Sequence, residues 1–300
     1  EMTSLVEALD DFVLEQQARL NSPKTIQDYS EKITWWINFA GVDASLESIT
    51  TNDMREYIAS LRERDLARET IRSYITALKV AWSFWSQEYG VENVMSRIKK
   101  PVKKKQPPKS ISTEDFIKLF EAAKGHTVTD WRNRAIIALL ADTGARRGEI
   151  VTLTTEIDCI RRRATVHGKT GTRQIFWTHY TNSLLFKWKA IRPTCETDAL
   201  FVSIREGRKP EALTGSGIRQ ILIRLKKEAG VKGRVNPHAF RHKFAQEYLK
   251  AGGDVITLAH LGGWRDLKTI KDAYAIFSDD ELSLLQQRNS PLLTMLIADD

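Results

Sequence analysis

Apolar positions in residues 1–90 recur every three or four residues, which is the period of one helix face. The pattern predicts helices over Ser4–Leu20, from Ser22 onward, over Thr51–Leu61 and over Glu69–Tyr89. Ser22 is a good N-cap, and the Pro23 that follows it fits a first helical turn. We expect a compact bundle of four or five helices, with its tryptophans and phenylalanines in the core rather than stacked on bases.

The rest of the chain mixes two periods. Helical spacing extends over Thr113–Ala123, Trp131–Asp142, Gly215–Ala229, Ala239–Ala251, Val255–Leu261 and Leu267–Phe277. Short β-like runs predict strands at Thr165–His167 and Gln174–Trp177, joined by a turn, and a further strand at Leu200–Val202. We therefore predict a mainly α protein, in which an N-terminal helical bundle precedes an α+β domain with a small antiparallel sheet.

A lysine- and proline-rich segment, residues 98–111, separates the two parts. Its prolines forbid a helix and its lysines repel one another, so we expect an extended chain. It is a solvated linker, a strap that lies along phosphates, or both. The predicted domains are residues 1–97, the linker 98–111 and residues 112–300. The candidate phosphate-binding residues of the linker are Lys99, Lys100, Lys103, Lys104, Lys105 and Lys109.

Charge is distributed unevenly along the chain. Residues 1–97 hold 10 basic and 16 acidic residues, residues 98–111 hold six lysines and no acid, and residues 112–300 hold 30 basic and 22 acidic residues. The net charge of +8 favours a polyanionic partner. Because the first part is acidic overall, any contact that it makes with nucleic acid needs a separate basic face.

Composition excludes several classes of protein. Hydrophobic residues make up 42% of the chain, enough for packed cores, which rules out global disorder. No apolar run approaches the roughly 18–20 residues of a membrane span, and the acidic start lacks the features of a signal peptide. Cys159 and Cys195 are too few for a disulfide framework, so we expect a reducing, cytoplasmic setting.

Two motifs early in the second part place cations at turns. Arg146 and Glu149 lie three residues apart at the start of a helix, so they share a face. They form either a fork for phosphate oxygens or an ordinary surface ion pair. Lys169 follows Gly168 in the predicted hairpin turn, where it either reaches a substrate or is solvated. A nucleotide-binding loop is rejected, because Arg163 stands where that motif needs a glycine.

A third motif carries two histidines and an arginine. His238 and Arg241 share a face at a helix start, where the histidine can move protons and the arginine can bind the same anion as Arg146. His238 and His242 have the spacing of a zinc pair. An alanine replaces the glutamate that a metalloprotease has after its first histidine, so we expect no metal site.

A fourth motif is a Leu-Gly-Gly-Trp string that ends at Trp264 and is followed ten residues later by Tyr274. A phenol is a poor nucleophile at its ordinary pKa of about 10. Surrounding cations stabilise the phenolate and make it usable as a nucleophile. Considered alone, Tyr274 is better interpreted as a core residue of an amphipathic helix than as a nucleophile.

In this order, Arg-x-x-Glu, Gly-Lys in a hairpin, His-x-x-Arg, Leu-Gly-Gly-Trp and a late tyrosine resemble the tyrosine recombinase (phage integrase) family. The helical first part and the linker look like that family's SAM-like core-binding domain and its connection, so the resemblance covers nearly the whole chain. It implies an enzyme that cuts and rejoins double-stranded DNA at a recombination site through a 3′-phosphotyrosine intermediate, with no ATP, metal or other cofactor.

The resemblance also implies which residues form the catalytic site. Arg146 and Arg241 would clamp the scissile phosphate and neutralise charge in its transition state. Trp264 would donate its indole N–H to the same phosphate and pack the site. Glu149 would support the helix that carries the first arginine rather than act on the substrate.

The remaining implied roles concern covalent chemistry and proton transfer. Tyr274 would attack phosphorus and leave a free 5′ hydroxyl. Lys169 would protonate the departing 5′ oxygen. His238 would hydrogen-bond to the phosphate, assist proton transfer and help to activate the tyrosine.

The sequence departs from the family pattern in the distance from Trp264 to Tyr274, which is one residue longer than expected. The helix bulges there, or the tyrosine segment sits differently. Tyr248 is the nearest rival nucleophile, but it lies seven residues beyond Arg241 on the same predicted helix, about two turns away, and we expect it to pack. His242 is a common companion in the motif and has no role that the sequence assigns.

The C-terminal tail, residues 291–297, carries apolar residues. It either packs on its own domain or frays, or, as the resemblance suggests, docks into a neighbouring subunit of a homotetramer on DNA. The expected location is the cytoplasm, on the nucleoid of a prokaryote or on viral or plasmid DNA. Alternative functions are a type IB topoisomerase and a DNA-binding module that kept the fold but lost activity; a metal-dependent phosphatase fits poorly, since the motifs contain no carboxylate cluster.

Overall fold

The computed structural model describes residues 2–102, 108–168, 171–290 and 292. The chain divides into two compact units, Glu1–Lys105 and Gln106–Asp300, and the division falls inside the lysine-rich segment 98–111. Both units are mainly helical, and the second contains a small two-stranded sheet, which confirms the predicted fold class. Within the described residues, no helix combines the length and apolar character needed to cross a membrane.

The first unit is a four-helix bundle with a short 3₁₀ turn at Leu46–Ser48. Its helices are α1 (Leu5–Ala18), α2 (Pro23–Ala40), α3 (Thr51–Glu63) and α4 (Arg68–Glu88). The starts of the first three are fixed by N-cap side chains that accept hydrogen bonds from backbone N–H groups three residues on. These capping signals are local, and the predicted helices are confirmed to within a few residues at each end.

Aromatic side chains fill the core of the first unit. Trp36, Trp82 and Trp85 are fully buried and pack mainly edge to face, with ring centroids 5.4–6.0 Å apart. The Trp85 indole N–H donates to the Ala8 carbonyl at 2.7 Å. The prediction that these rings form a core is therefore confirmed.

The second unit is built around one central helix. Its elements, in chain order, are α5 (Thr113–Ala122), α6 (Val128–Thr143), α7 (Arg147–Ile150), β1 (Arg163–Gly168), β2 (Gly171–Phe176), α8 (His179–Ile191), α9 (Gly215–Glu228), α10 (Pro237–Lys250), α11 (Val255–Gly262), α12 (Leu267–Ala273) and α13 (Asp279–Asn289). Helix α6 lies at the centre, since the unbroken run Arg132–Leu140 is buried and the helix packs against both α8 and α10.

The sheet is an antiparallel hairpin of β1 and β2, with Arg163 opposite Phe176 and Gly168 opposite Gly171. Both predicted strands are confirmed and are longer than expected. The predicted strand Leu200–Val202 is wrong. That buried segment pairs briefly with two different stretches of chain, through isolated bridges at Ala199 and Val202, so no continuous ladder forms.

Two helices differ from the sequence prediction. Helix α8 was not expected, although Leu184, Leu185 and Trp188 give it one buried face against α6. The predicted helix Leu267–Phe277 stops at Ala273. Its chain leaves the helical path at Tyr274 (φ −128°, ψ −27°), where the ring turns into a small core formed with α10 and α11.

Candidate active site

Arg146 is fixed at the junction between α6 and α7. Gly144 ends α6 in the left-handed conformation (φ 58°), and Arg146 immediately precedes α7. Glu149 is almost fully buried, accepting hydrogen bonds from the Arg146 backbone N–H at 2.7 Å and from its Nη1 at 2.8 Å. The predicted shared face is therefore confirmed, and the pair is a buried anchor rather than a surface ion pair.

A second arginine, Arg173 of β2, completes the pairing of Glu149. Its Nη2 and Nε donate to the two carboxylate oxygens at 2.8 and 3.3 Å, and Nη1 donates to the Leu261 carbonyl. Burial raises the pKa of Glu149, but hydrogen bonds from Arg173 and Arg146 outweigh it and hold the pKa below its ordinary value. The sequence analysis missed Arg173, because its partners are distant along the chain.

Arg241 lies inside the unit on α10, whose start is set by the Asn236 cap. Its Nη1 donates to the carbonyls of Gly144 at 2.8 Å and Gly262 at 2.7 Å, so it connects the α6–α7 junction with the end of α11. Burial lowers the pKa of Arg241, and the charges of two neighbouring arginines lower it further. A buried cation that is repelled by its neighbours is a site prepared for an anion.

His238 is exposed on the first turn of α10, three residues before Arg241. Desolvation by the surrounding protein lowers its pKa, and the nearby charges of Arg241 and Arg147 lower it further. A neutral imidazole at the edge of a cationic site can accept or relay a proton near neutral pH.

Neighbouring side chains pack so closely around the Gly-Gly-Trp stretch, residues 262–264, that its two glycines have no room for a Cβ. A side chain at Gly262 would meet the Trp264 ring at 1.7 Å. Gly263 adopts φ +67°, and a Cβ there would lie 2.6 Å from Cδ of Arg173. The Gly263 carbonyl accepts from Nη2 of Arg146 at 3.0 Å. Both positions therefore need glycine, and the backbone between them holds two arginines in place.

Trp264 and Tyr274 pack next to Arg241. The Arg241 guanidinium lies over the Trp264 ring, 3.6 Å from its centroid, and the Tyr274 ring meets that indole edge to face at 5.8 Å. Tyr274 is 6% exposed, and its hydroxyl is 2.5 Å from Nδ1 of His242. Burial raises the pKa of Tyr274, while the charge of Arg241 acts in the opposite direction.

Residues predicted from motifs far apart in the chain thus lie together in the second unit. Arg146, Arg241, Trp264 and Tyr274 are joined by direct contacts or through the Gly-Gly backbone, and His238 lies one turn from Arg241 on α10. Tyr248 packs among apolar side chains, as predicted.

Several predicted positions lie outside the described residues. They are Lys103, Lys104, Lys105, Lys169 and all of the C-terminal tail except Leu292. Of the remaining linker lysines, Lys99, Lys100 and Lys109 are exposed. Among described residues, no group of three or more His, Cys, Asp and Glu side chains is arranged to hold a metal ion.

Comparison with known proteins agrees with the motifs. The model of the phage integrase family matches residues 109–280, and that of the phage integrase N-terminal SAM-like domain matches residues 9–88. The chain belongs to the phage integrase family. This integrase is a tyrosine site-specific recombinase, as the motif resemblance predicted.

Curated relatives of the integrase are similar along most of their length. Tyrosine recombinase XerC of Bacillus pumilus strain SAFR-032 is 30% identical over 284 residues, which are 90% of this chain and 91% of that protein. XerC of Staphylococcus aureus bovine strain RF122 is 27% identical over 269 residues, 85% of this chain and 89% of that protein.

Solved structures share the fold of the integrase. The Tn1549 transposon integrase in complex with a circular intermediate DNA superposes with a TM-score of 0.76 at 17% identity, covering 96% of this chain and 99% of that one. A lambda integrase tetramer bound to a Holliday junction superposes with a TM-score of 0.71 at 20% identity, covering 88% of this chain and 78% of that one. At these identities the comparison concerns architecture alone.

Proposed function

We propose that this recombinase cuts and rejoins DNA strands by attack of Tyr274 on a backbone phosphate, forming a 3′-phosphotyrosine link and a free 5′ hydroxyl. The observation that carries the proposal is the packing of the Tyr274 ring against Trp264, whose indole in turn covers the guanidinium of Arg241. A phenol in this position can form its bond to a phosphate that the neighbouring cation holds.

The electrostatics of the site support a phosphate as its occupant. Arg146, Arg173 and Arg241 meet around the end of α11, and Glu149 is the one carboxylate that the described contacts give them. Nη2 of Arg241 is buried and has no hydrogen-bond acceptor among the described residues. A phosphate oxygen would supply an acceptor and offset the repulsion between the cations.

The proposed roles follow from these positions. Arg146 and Arg241 bind the non-bridging oxygens and stabilise the charge of the pentavalent transition state. His238 hydrogen-bonds to the phosphate from the surface of α10, and the indole N–H of Trp264 donates to it. The role proposed for Lys169, protonation of the leaving 5′ oxygen, rests on the motif resemblance, because this lysine lies outside the described residues. Because the phosphotyrosine link conserves the energy of the broken bond, rejoining needs no ATP, and arginines rather than a metal ion neutralise the phosphate.

DNA binding is proposed for both units. In the first unit, Arg55, Arg62, Arg97 and Lys99 line one surface concavity, which gives a net-acidic domain a basic face. The exposed linker lysines add further contacts to phosphates. The substrate is a double-stranded recombination site, and we place the reaction in the bacterial cytoplasm, where chromosomal, plasmid and viral DNA are accessible.

A homotetramer on DNA is proposed as the active assembly. The lambda integrase neighbour is a tetramer bound to a Holliday junction, and the shared fold permits the same arrangement here. We propose that residues 291–297 dock into a neighbouring subunit and couple the active sites. Removal of these residues is then expected to leave a monomer that binds DNA but does not complete strand exchange, as measured by light scattering and a joining assay.

Covalent capture tests the proposed chemistry. A pool of nicked duplexes with randomised flanks loses a short fragment on cleavage, so the phosphotyrosine adduct accumulates and its DNA can be sequenced. We expect adducts in EDTA and without nucleotide, none with Tyr274→Phe, and normal adducts with the matched control Tyr248→Phe. An adduct that persists in Tyr274→Phe, or none with the parent protein, would refute the proposal. Joining to a second duplex, beside plasmid relaxation, separates a recombinase from a topoisomerase.

A further inference from the structure

The hydroxyl group of Tyr274 has a specific partner, His242, that the roles above leave unused. Nδ1 of His242 is 2.5 Å from the phenolic oxygen, and the ring centroids are 5.6 Å apart at an interplanar angle of 43°. The two residues lie 32 positions apart, on α10 and immediately after α12. The contact therefore depends on the tertiary structure and joins the α10 motif directly to the reacting atom.

The direction of this hydrogen bond depends on the protonation states of the two groups and on the tautomer of the imidazole. Burial lowers the pKa of His242 to about 4, and the charges of His238, Arg234 and Arg241 contribute. Burial also raises the pKa of Tyr274. Near neutral pH the imidazole is therefore neutral and the phenol protonated. In the tautomer that carries its proton on Nε2, the hydroxyl donates and Nδ1 accepts, and a general base requires this arrangement.

A bound phosphate changes the basicity of this imidazole. In the free protein, burial opposes a positive charge on His242, and nearby cations oppose it further, which makes the imidazole a weak base. A phosphodiester held by Arg146 and Arg241 brings a negative charge that offsets those cations. His242 thus becomes a stronger proton acceptor when DNA is in place, which ties activation of the nucleophile to substrate binding.

We propose that His242 is the general base for Tyr274, an inference that rests on the proposed function. As Oη of Tyr274 forms its bond to phosphorus, the Oη–H bond breaks and the proton moves to Nδ1 of His242. The bond from phosphorus to the 5′ oxygen breaks in the same displacement, and that oxygen takes a proton from Lys169. In rejoining, the 5′ hydroxyl attacks phosphorus and returns its proton to the neutral Lys169. The bond from phosphorus to Oη of Tyr274 breaks, and Oη regains its proton from His242.

Substitution of His242 by asparagine separates proton transfer from positioning. The amide oxygen of asparagine occupies about the place of Nδ1, so it still accepts a hydrogen bond, but it is too weak a base to take the proton. The matched control is His260→Asn, at an exposed histidine on the neighbouring helix α11. Both variants are made with tyrosine and with 3,5-difluorotyrosine at position 274, because the fluorinated phenol is more acidic.

The measured quantity is the single-turnover rate of adduct formation, on a nicked duplex with the DNA sequence that the covalent-capture experiment recovers. We expect His242→Asn to slow the reaction about 100- to 1,000-fold at unchanged DNA affinity, and fluorination to restore about tenfold or more in that variant alone. A rate within about threefold of the parent overturns the inference. If His242→Asn slows the reaction but fluorination changes the rate by the same factor in the parent and in the variant, His242 only positions the tyrosine and the inference is overturned. A parent protein that forms no adduct overturns the proposed function as well.

A measurement on the parent protein tests the inference even if the asparagine variant misfolds. Nitrogen-15 NMR of labelled histidine in the full-length protein reports which ring nitrogen carries the proton. We expect Nδ1 of His242 to be unprotonated and Nε2 protonated near neutral pH, as an acceptor for the phenol requires. A proton on Nδ1 overturns the inference, whatever happens to the asparagine variant.

Discussion

Replacement of the buried Glu149 by glutamine probes the anchor that holds the arginines. The carboxylate accepts four hydrogen bonds, two from Arg146 and two from Arg173. A single amide oxygen keeps about half of them, and the amide N–H₂ group then faces donors. Two lost charged hydrogen bonds at roughly 1.5–3 kcal/mol each give about 3–6 kcal/mol, in line with about 3–5 kcal/mol for breaking a buried ion pair.

Amide hydrogen exchange of α6 peptides measures the free energy of unfolding of the second unit without contributions from the first. Glu149→Gln is expected to lower it by about 3–5 kcal/mol and to slow adduct formation, since Arg146 loses its support. The exposed Glu156→Gln is the control, with an expected change within about 0.5 kcal/mol. A loss below about 1 kcal/mol for Glu149→Gln would refute the view of this carboxylate as the anchor.

Three further predictions concern the backbone, the acid range and DNA binding. Gly263→Ala is expected to lower the free energy of unfolding in urea by about 2–3 kcal/mol and to remove most of the activity, because it combines positive φ with a clash. Gly230→Ala has positive φ but open space, so it should lower the free energy of unfolding by only about 1 kcal/mol, and equal losses in the two variants would contradict this. His242 has a pKa of about 4 when folded and an ordinary value near 6.5, so the unfolded chain binds more protons between these values and stability falls as the pH drops through that range. Between pH 7 and pH 4 the free energy of unfolding of the parent should fall by at most ~3 kcal/mol more than that of His242→Asn, a difference that solvent screening reduces. Parallel profiles of unfolding free energy against pH for the two proteins would refute this. Replacing Lys99 and Lys100 together by alanine should reduce the slope of log affinity against log salt by about 2, whereas an unchanged slope would exclude phosphate contacts there.

Local signals in the sequence were enough for most of the helices. Ser22 followed by Pro23 marks a helix start, and the structure places Ser22 as the N-cap of α2. The strand predicted at Leu200–Val202 failed because a buried apolar run looks the same whether or not a partner strand continues beside it. The end of α12 was missed because the contact that turns Tyr274 inward is tertiary.

The active site was predictable only where motifs carried it. The order of the motifs identified the family and the residues that the structure brings together around Arg241. Arg173 and His242 gained no role from the sequence, because their partners lie 24, 88 and 32 residues away, and no local pattern reports such contacts. In both cases the structure supplied the partner, and the chemistry of that partner supplied the role.

The central claim is that Tyr274 supplies the oxygen that becomes bonded to DNA. Tandem mass spectrometry of the trapped complex, after digestion with protease and nuclease, measures this directly by locating the residue that carries the nucleotide mass. The account predicts a single modified peptide with the 3′-phosphate on Tyr274. A modification on Tyr248 or on any other side chain would contradict it.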